Sequence, residues 1–431
     1  MSKRPTCALV LLCFVQGCER FAFFALLPLL VLYLHHRHGF SEPTALLLLG
    51  VLNALSYFSG LPGGILIDRK LGPAVSLIVG AGLLTAGYGV LATDHRALLW
   101  LAFGLLVCGH GMFRPAMAIQ LGAVFPSNDV RREHGFLWQY LAINVACIVG
   151  PLCAEAVTME HRWRNLFLLV SASMLVGTLV LICGVRRLSS VARQSARDPN
   201  ELSPSKNSAT RWKAVWLPCA LAVVFWLTAL QAGGSLVLFA EEHTVRSFSA
   251  WGHSIAIGPS QFTSLHGLLV LLLMPPFVSV STRLRRRRIL PSTPVKLLWG
   301  YIATAAAFIL VAAARPTEGE ATRVSPAWLL GCYLLLSIAE LFLGPFGMSI
   351  VTQIAPPSRA GQAVGLWFTS AAAGNVAAGA LGLLWDHWSN HRYFALLALV
   401  SLGAAAVMLM RASWLERLLS TSEGQTTGGQ P

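Results

Sequence analysis

Apolar runs long enough to cross a lipid bilayer recur along almost the whole sequence. A hydrocarbon core about 30 Å thick needs roughly 20 predominantly apolar residues in a helix. The composition agrees, because 55% of the residues are hydrophobic and only 12% are charged, whereas about a quarter of the residues of soluble domains are charged. We therefore predict an all-α membrane protein with twelve transmembrane helices, at residues 7–34, 43–67, 73–92, 97–124, 134–157, 165–185, 214–240, 260–281, 293–314, 326–351, 360–385 and 391–410.

The positive charges of the loops predict how these spans are oriented. Most of the 32 Lys and Arg residues fall in loops that share one side of the membrane with the N-terminus. Cytoplasmic loops carry such an excess, so we expect a multi-pass protein of the plasma membrane (the bacterial inner membrane) with both termini in the cytoplasm. Because the cations are scattered over short loops, the net charge of +14 reflects topology, and no nucleic-acid partner is expected.

One long polar segment, RRLSSVARQSARDPNELSPSKNSATRWK, interrupts the apolar pattern and divides the spans six and six. It is basic, rich in Ser and contains Pro, which is typical of a flexible linker. Two six-helix halves indicate the two-bundle architecture of the major facilitator superfamily. The predicted domains are an N-terminal six-helix bundle (1–185), a cytoplasmic linker (186–213), a C-terminal six-helix bundle (214–412) and a cytoplasmic tail (413–431).

Four ionisable residues lie deep in the predicted spans: Glu19 and Arg20 in the first, Arg114 in the fourth and Glu340 in the tenth. Each costs about 2.5–3.5 kcal/mol at a helix centre, so we expect them to line an interior cavity. Adjacent residues of a helix point about 100° apart, which predicts that Glu19 pairs with Arg114 and not with Arg20. The alternative is a set of buried salt bridges that only fixes helix packing.

The signs of these charges indicate a class of substrate. Transporters of this architecture bind substrate near the membrane midplane. Arg20 and Arg114 lie in the first half of the chain and Glu340 in the second. A small zwitterion would complement both halves.

Several segments resemble, in order, the signatures of the proton-dependent oligopeptide transporter (POT) family. QGCERFAFF (16–24) resembles its ExxERFxYY motif in span 1, and GHGMFRP (109–115) resembles its G-x-G-x-x-K-P signature in span 4. AELFLGPFGMSIVTQIAP (339–356) resembles its span 10, and similar segments occur in spans 5, 7, 8, 9 and 11. The chain is identified as a divergent member of this family within the major facilitator superfamily.

The resemblance implies roles for individual residues. Glu19 and Glu340 correspond to residues of proton coupling, and Glu340 also to the residue that receives the amino group of the peptide. Arg20 and Arg114 correspond to cations near the peptide carboxylate. For Tyr57 and Trp367, ordinary aromatic packing is the alternative. The implied substrate-binding set is Arg20, Phe23, Phe24, Tyr57, Arg114, Asn144, His266, Glu340 and Trp367.

The chain departs from the family pattern at these functional positions. Gln16 replaces the first glutamate of the span 1 motif, which removes one titratable group. Leu27 and Leu230 stand where the family has an arginine and an acid that close the outer gate, so we expect an apolar gate. His266 replaces a pocket asparagine, and histidine titrates near neutral pH; a hydrogen-bonded pocket residue is the alternative. The remaining departures are Phe23 and Phe24 for two tyrosines, and Arg114 for a lysine.

The resemblance implies import of di- and tripeptides by proton symport with alternating access. The coupling ions are protons, and we expect no cofactor and no metal, with the protein working as a monomer in the lipid bilayer. Two alternatives stay open. The first is a transporter of the same fold that carries another small solute (an anion, a modified amino acid or a drug), with or without proton coupling. The second is a non-transporting sensor. An enzyme is not expected, because H-E-x-x-H, P-loop and nucleophile-elbow patterns are absent from the sequence.

Overall fold

The computed structural model of the protein is almost entirely helical. It describes residues 3–122, 124, 131–158, 162–195, 208–250, 253–287, 289, 291–315, 323–355 and 360–423. The helices are α1 (Lys3–Leu32), α2 (Glu42–Phe58), α3 (Gly60–Leu66), α4 (Gly72–Leu91), α5 (Leu99–Gly122), α6 (Arg131–Thr158), α7 (Trp163–Ser195), α8 (Ser208–Leu230), α9 (Ser235–His243), α10 (Gln261–Arg286), α11 (Thr293–Ala312), α12 (Pro326–Ile354), α13 (Ala360–Gly382) and α14 (Asn390–Glu423).

Short irregular pieces extend or join these helices. A π-helical turn, Tyr33–Arg37, continues α1, and a second, Ile67–Leu71, follows α3. The strands β1 (Ser247–Ala250) and β2 (His253–Ala256) form an antiparallel hairpin in which Ser247 pairs with Ala256.

The predicted twelve-span membrane fold is confirmed. Ten helical segments of the described residues are long and apolar enough to cross a bilayer, and one of them, Glu42–Leu91, covers the two predicted spans 43–67 and 73–92. Gly72 separates these two spans, because its φ of 70° is a left-handed conformation that ends the preceding helical turn. The remaining predicted span, 360–385, corresponds to α13.

Large apolar side chains are exposed along the helices, as expected of surfaces that face lipid and not water. Val10, Leu272, Leu399 and Met410 are each more than half exposed. A soluble monomer rarely exposes apolar patches of such extent. Together with the spans, this surface identifies a multi-pass membrane protein.

The seventh predicted span is interrupted, although we predicted one continuous helix over residues 214–240. A 3₁₀ turn, Gln231–Gly233, separates α8 from α9. The carbonyl of Ala232 accepts hydrogen bonds from Thr263 Oγ1 at 3.2 Å and from the Tyr333 hydroxyl at 3.0 Å. Helix breaks at membrane depth require such partners, because lipid offers none. The sequence signal is the pair of glycines in QAGG (231–234).

The helices next to the predicted linker are longer than predicted. Residues 186–195 continue α7, and residues 208–213 belong to the first turns of α8. Six of the ten residues 186–195 are good helix formers, namely three Arg together with Leu188, Ala192 and Gln194, so the helix extends beyond the apolar run. Residues 196–207 lie outside the described residues. Similarly, α14 continues to Glu423, well into the predicted tail 413–431.

The contacts of the chain define two compact units. The N-terminal unit consists of Met1–Ser41 and Val51–Asn200, and the C-terminal unit consists of Glu42–Gly50 and Glu201–Pro431. The boundary therefore falls within α2 as well as in the predicted linker.

The helices pair in the same pattern within each unit. In the N-terminal unit α1 packs on α6, and α4 packs on α5 and α7. In the C-terminal unit α8 packs on α13, and α11 packs on α12 and α14. Counted by spans, the first of each unit contacts the fifth, and the third contacts the fourth and the sixth. The two units are thus internal structural repeats, which are common in transporter folds.

Gly80 allows α4 and α5 to approach closely, and this contact generates a prediction. A Cβ atom at Gly80 would lie 2.7 Å from the backbone nitrogen of Phe113, whereas one at Gly82 would have nothing within 4 Å. We expect Gly80→Ala to destabilise the protein by about 1–3 kcal/mol through overpacking. Gly82→Ala is the matched control, because the same substitution on the same helix is neutral or stabilising. Thermal unfolding of detergent-purified protein measures the difference, and equal melting temperatures for the two variants would contradict the packing.

Candidate functional site

The carboxylate of Glu19 lies in the interior of the N-terminal unit, surrounded by polar partners. Its side chain is fully buried, and its Oε2 lies 2.7 Å from Arg20 Nε. Gln16 Nε2 donates a hydrogen bond to the same oxygen at 2.9 Å. His110 Nδ1, from α5, lies 3.3 Å from Oε1. The carboxylate is therefore held by an arginine, an amide and an imidazole.

This arrangement corrects the predicted pairing of Glu19 with Arg114. The ion pair joins Glu19 to Arg20, its neighbour on α1. The prediction considered only the directions of the Cα–Cβ bonds; the long, flexible arginine side chain folds back far enough to reach the adjacent carboxylate. Gln16, one helical turn before Glu19, shares the carboxylate on the same face of α1.

Arg114 lies close to this cluster but is held by aromatic rings. Its guanidinium carbon lies 4.7 Å from the ring centroid of Tyr57 and 5.4 Å from that of Phe23. Its Nε, Nη1 and Nη2 atoms are buried, and none has a hydrogen-bond partner among the described residues. Cation–π contacts stabilise such a cation but leave its N–H groups available. Arg114 is thus a buried cation with unused donors.

Phe23 and Phe24 form the aromatic part of the same cluster. Their rings meet edge to face at 5.4 Å, and Phe23 also meets the His110 ring at 5.9 Å. Arg20 lies over Phe23 as well, 5.3 Å from its centroid. Both predicted arginines of the N-terminal unit therefore contact Phe23.

Asn144 is buried on α6, and its side-chain amide forms a hydrogen bond within the same helix. Its Nδ2 donates to the Tyr140 carbonyl at 2.9 Å. This hydrogen bond is local, and among the described residues no hydrogen bond joins Asn144 to Glu19, Arg20 or Arg114.

The C-terminal unit contains a second carboxylate–imidazole pair. His266 Nε2 on α10 lies 2.7 Å from Glu340 Oε2 on α12. His266 Nδ1 lies 2.9 Å from the hydroxyl of Ser337, which is fully buried. The Glu340 side chain is 43% exposed, so that one of its faces is open to a ligand.

Trp367, which the resemblance placed in the pocket, lies in the core of the C-terminal unit. It is 5% exposed and belongs to a cluster of buried apolar residues from α8, α11, α12, α13 and α14. A Cβ atom on Gly347 would lie 2.4 Å from its ring, so the ring packs directly on the α12 backbone. This location favours the packing alternative for Trp367.

Two residues of these sites were not predicted: His110, which lies 3.3 Å from Glu19, and Ser337, which lies 2.9 Å from His266. His110 precedes Arg114 by four residues, and Ser337 precedes Glu340 by three. Both spacings place the two side chains on one helix face. Gln16 was interpreted only as a lost titratable group, whereas it is a hydrogen-bond donor to Glu19.

These arrangements define what each unit can bind. The N-terminal unit presents a guanidinium that has no acceptor in the part of the chain that the structure describes, beside a carboxylate that can exchange its partners on protonation. The C-terminal unit presents the half-exposed carboxylate of Glu340, which His266 contacts from one side. Anions fit the first, and protons or ammonium groups fit the second.

Comparisons with known proteins agree with this arrangement. The Major Facilitator Superfamily profile matches residues 12–293, and the POT family profile matches residues 201–394. The chain is 26% identical to the peptide transporter YePEPT of Yersinia enterocolitica, over 95% of this chain and 94% of that protein. It is 22% identical to a di-/tripeptide transporter of Lactococcus lactis, over 91% of this chain and 92% of that protein.

The same relationship is seen in a solved structure. A crystal structure of a variant of the peptide transporter POT in complex with alafosfalin superposes with a TM-score of 0.85, at 25% identity and with 95% of each chain covered. The superfamily profile covers more than half of the chain, whereas the POT profile covers a little less than half of it. The chain therefore belongs to the major facilitator superfamily, and it is similar to the POT family over residues 201–394.

Proposed function

We propose that the protein imports di- and tripeptides together with protons by alternating access. It works as a monomer in the lipid of the bacterial inner membrane, with both termini in the cytoplasm and a cytoplasmic linker between two six-helix bundles. Protons are the coupling ions, and the protein needs no other cofactor. The relatives named as peptide and di-/tripeptide transporters support this proposal.

The observation that carries the proposal is the buried guanidinium of Arg114. Its three nitrogens have no hydrogen-bond partner among the described residues. Leaving a buried charged donor without an acceptor is costly. A carboxylate that binds two of these N–H groups side by side removes that cost, and arginine favours this geometry. We assign the peptide carboxylate to Arg114, with Phe23 and Tyr57 holding the guanidinium in place.

The amino group of the peptide is assigned to Glu340. An ammonium group needs a carboxylate that is accessible, and the Glu340 side chain is 43% exposed. By contrast, the Glu19 side chain is fully buried. Glu340 therefore contacts the substrate directly, whereas Glu19 affects substrate binding only through its own protonation.

Proton coupling follows from the contacts of Glu19. When ionised, its carboxylate holds Arg20 at 2.7 Å. Protonation removes that charge and releases Arg20, which then adds a second cation for the peptide carboxylate. Because the Arg114 nitrogens have no hydrogen-bond partner among the described residues whereas Arg20 lies 2.7 Å from Glu19, the cation that protonation liberates is Arg20. Loss of the proton to the cytoplasm restores the pair and lowers the affinity for substrate, as coupling requires.

A second candidate is an anion transporter of the same fold. An unpartnered guanidinium binds any small anion, and Phe23 and Phe24 lack the hydroxyl groups of the family tyrosines. Such a protein would use Arg114 but would not need an amino group on its substrate.

Peptides with one end blocked test these assignments. In proteoliposomes, we expect unlabelled dialanine to inhibit uptake of labelled dialanine at least about tenfold more strongly than dialanine amide or N-acetyl-dialanine. Each blocked peptide loses one charge-assisted contact, which contributes about 1.5–3 kcal/mol. Arg114→Gln should abolish the advantage of dialanine over its amide, and Glu340→Gln the advantage over the N-acetyl form.

Arg164→Gln is the matched control, since it removes one positive charge from an exposed position at the start of α7. This variant should keep both preferences. Inhibition by small anions but not by any dipeptide would support the second candidate instead. Binding of dialanine without any flux would favour a sensor.

An imposed pH gradient tests the role of Glu19. With an acidic outside, we expect wild-type protein to accumulate dialanine above its external concentration. Glu19→Gln, which mimics the protonated acid, should lose this accumulation but retain exchange of labelled for unlabelled dialanine. Glu155→Gln is the control, because Glu155 is half-buried near the end of α6. This variant should accumulate dialanine as the wild type does. Wild-type uptake that ignores the gradient would contradict proton symport.

A further inference from the structure

The chain of contacts from Ser337 through His266 to Glu340 determines where protons lie in the C-terminal unit. Ser337 Oγ lies 2.7 Å from the Tyr333 carbonyl and 3.3 Å from the His266 carbonyl. It also lies 2.9 Å from His266 Nδ1. On the other side of the ring, His266 Nε2 lies 2.7 Å from Glu340 Oε2.

With the serine hydrogen assigned to its shortest contact, this chain of contacts holds one hydrogen more than a neutral histidine and an ionised glutamate provide. A serine has one hydroxyl hydrogen, and carbonyl oxygens only accept. With that hydrogen donated to the Tyr333 carbonyl, which is the shortest contact, Nδ1 must donate its own hydrogen to Ser337. The 2.7 Å contact between Nε2 and Oε2 then needs another proton, because two lone pairs repel at this distance.

The space beside this pair is small and mostly apolar. A cavity of about 30 Å³ adjoins it, which is room for about one water molecule. Apart from His266 and Glu340, none of the described residues that line the cavity is titratable. The others come from α8, the 3₁₀ turn, α11 and α12: Phe225, Ala229, Ala232, Thr304, Leu336 and Ala339.

Titratable groups of the neighbouring helices make contacts elsewhere. In α9, His243 Nε2 lies 3.4 Å from Glu242 Oε2. The Tyr333 ring lies 6.1 Å from the His266 ring, but its hydroxyl donates to the Ala232 carbonyl. Lys296 of α11 lies 4.4 Å from the Phe346 ring, almost two turns of α12 beyond Glu340. Tyr301 of α11 donates to the Leu221 carbonyl.

We propose that His266 and Glu340 together store one proton, which the ammonium group of the substrate displaces. This inference rests on the proposed function. It adds that substrate and proton compete for one carboxylate in the C-terminal unit, whereas they act together at Glu19 and Arg20. His266 is thus an internal competitor that makes substrate affinity depend on pH.

The exchange is balanced in atoms and charge. The ammonium group donates an N–H to Glu340, and the hydrogen bond between Nε2 and Oε2 breaks. The stored proton leaves to water as hydronium, because an imidazolium beside an ammonium would place two cations on one carboxylate. His266 remains neutral, with Nδ1–H still donated to Ser337. Ser337 is a positioning residue that fixes which nitrogen keeps its hydrogen.

Calorimetric counting of protons tests this proposal. Dialanine is titrated into the detergent-purified protein at about pH 6.5, where an ordinary histidine is half protonated, in two buffers that differ in ionisation enthalpy. We expect the wild type to release up to about one more proton per bound dialanine than His266→Asn. The dialanine affinity of the wild type should then rise with pH. For each pH unit, this rise should be up to about tenfold larger than that of His266→Asn. N-acetyl-dialanine, which has no ammonium group, should show no such difference.

Substitutions of Ser337 provide a second comparison, which does not alter the histidine. Ser337→Ala removes the partner of Nδ1, so the pair no longer needs the extra proton and release should fall. Ser337→Thr keeps the hydroxyl and should retain wild-type release. If His266→Asn fails to fold, the comparison of these two variants tests whether the His266–Glu340 pair releases a stored proton.

Each outcome separates this inference from the proposed function. Equal proton release by the wild type and His266→Asn, with both binding dialanine, would overturn the stored proton and leave peptide transport intact. Equal release by the two Ser337 variants would overturn the positioning role. Absence of dialanine binding and uptake by the wild type would instead refute the proposed function, and this inference with it.

Discussion

An ionised side chain inside a membrane span must find its counter-charge within the protein, and this constraint shapes both candidate sites. Glu19 meets it with Arg20, Gln16 and His110. Glu340 meets it with His266. Each glutamate therefore has a histidine from another helix at close range. A histidine partner differs from an arginine partner because an imidazole can be neutral or charged, whereas a guanidinium is always charged.

Arg114 shows the opposite solution to the same constraint. Its charge is stabilised by the faces of Phe23 and Tyr57, which satisfy the cation but none of its N–H groups. Because aromatic rings and not a carboxylate stabilise Arg114, its N–H groups can bind a ligand without first leaving a partner. A guanidinium paired with a carboxylate would have to exchange that partner for a substrate, whereas Arg114 has its donors available. We infer that the N-terminal unit is prepared for an anion before Glu19 takes up a proton.

The constraint applies to the backbone as well. The break between α8 and α9 frees carbonyl groups at membrane depth, and Thr263 and Tyr333 donate to one of them. Gln231 accepts from Ser235 and Tyr393 at the same level. Tyr333 also contributes the carbonyl that binds Ser337. The broken span and the His266–Glu340 pair thus share one residue of α12, which makes them parts of one polar network.

The sequence by itself determined the class of fold, because helices are the only open-chain solution for apolar runs of this length in lipid. It also determined which charges must be internal, since Glu19, Arg20, Arg114 and Glu340 each lie within a span. The tertiary structure alone decided which of them meet. Pairing depends on how long side chains bend and on which neighbouring helix supplies a partner. Glu19 therefore contacts Arg20 and His110, Arg114 lies against Phe23 and Tyr57, and Glu340 contacts His266. The order of residues along the chain states none of these contacts.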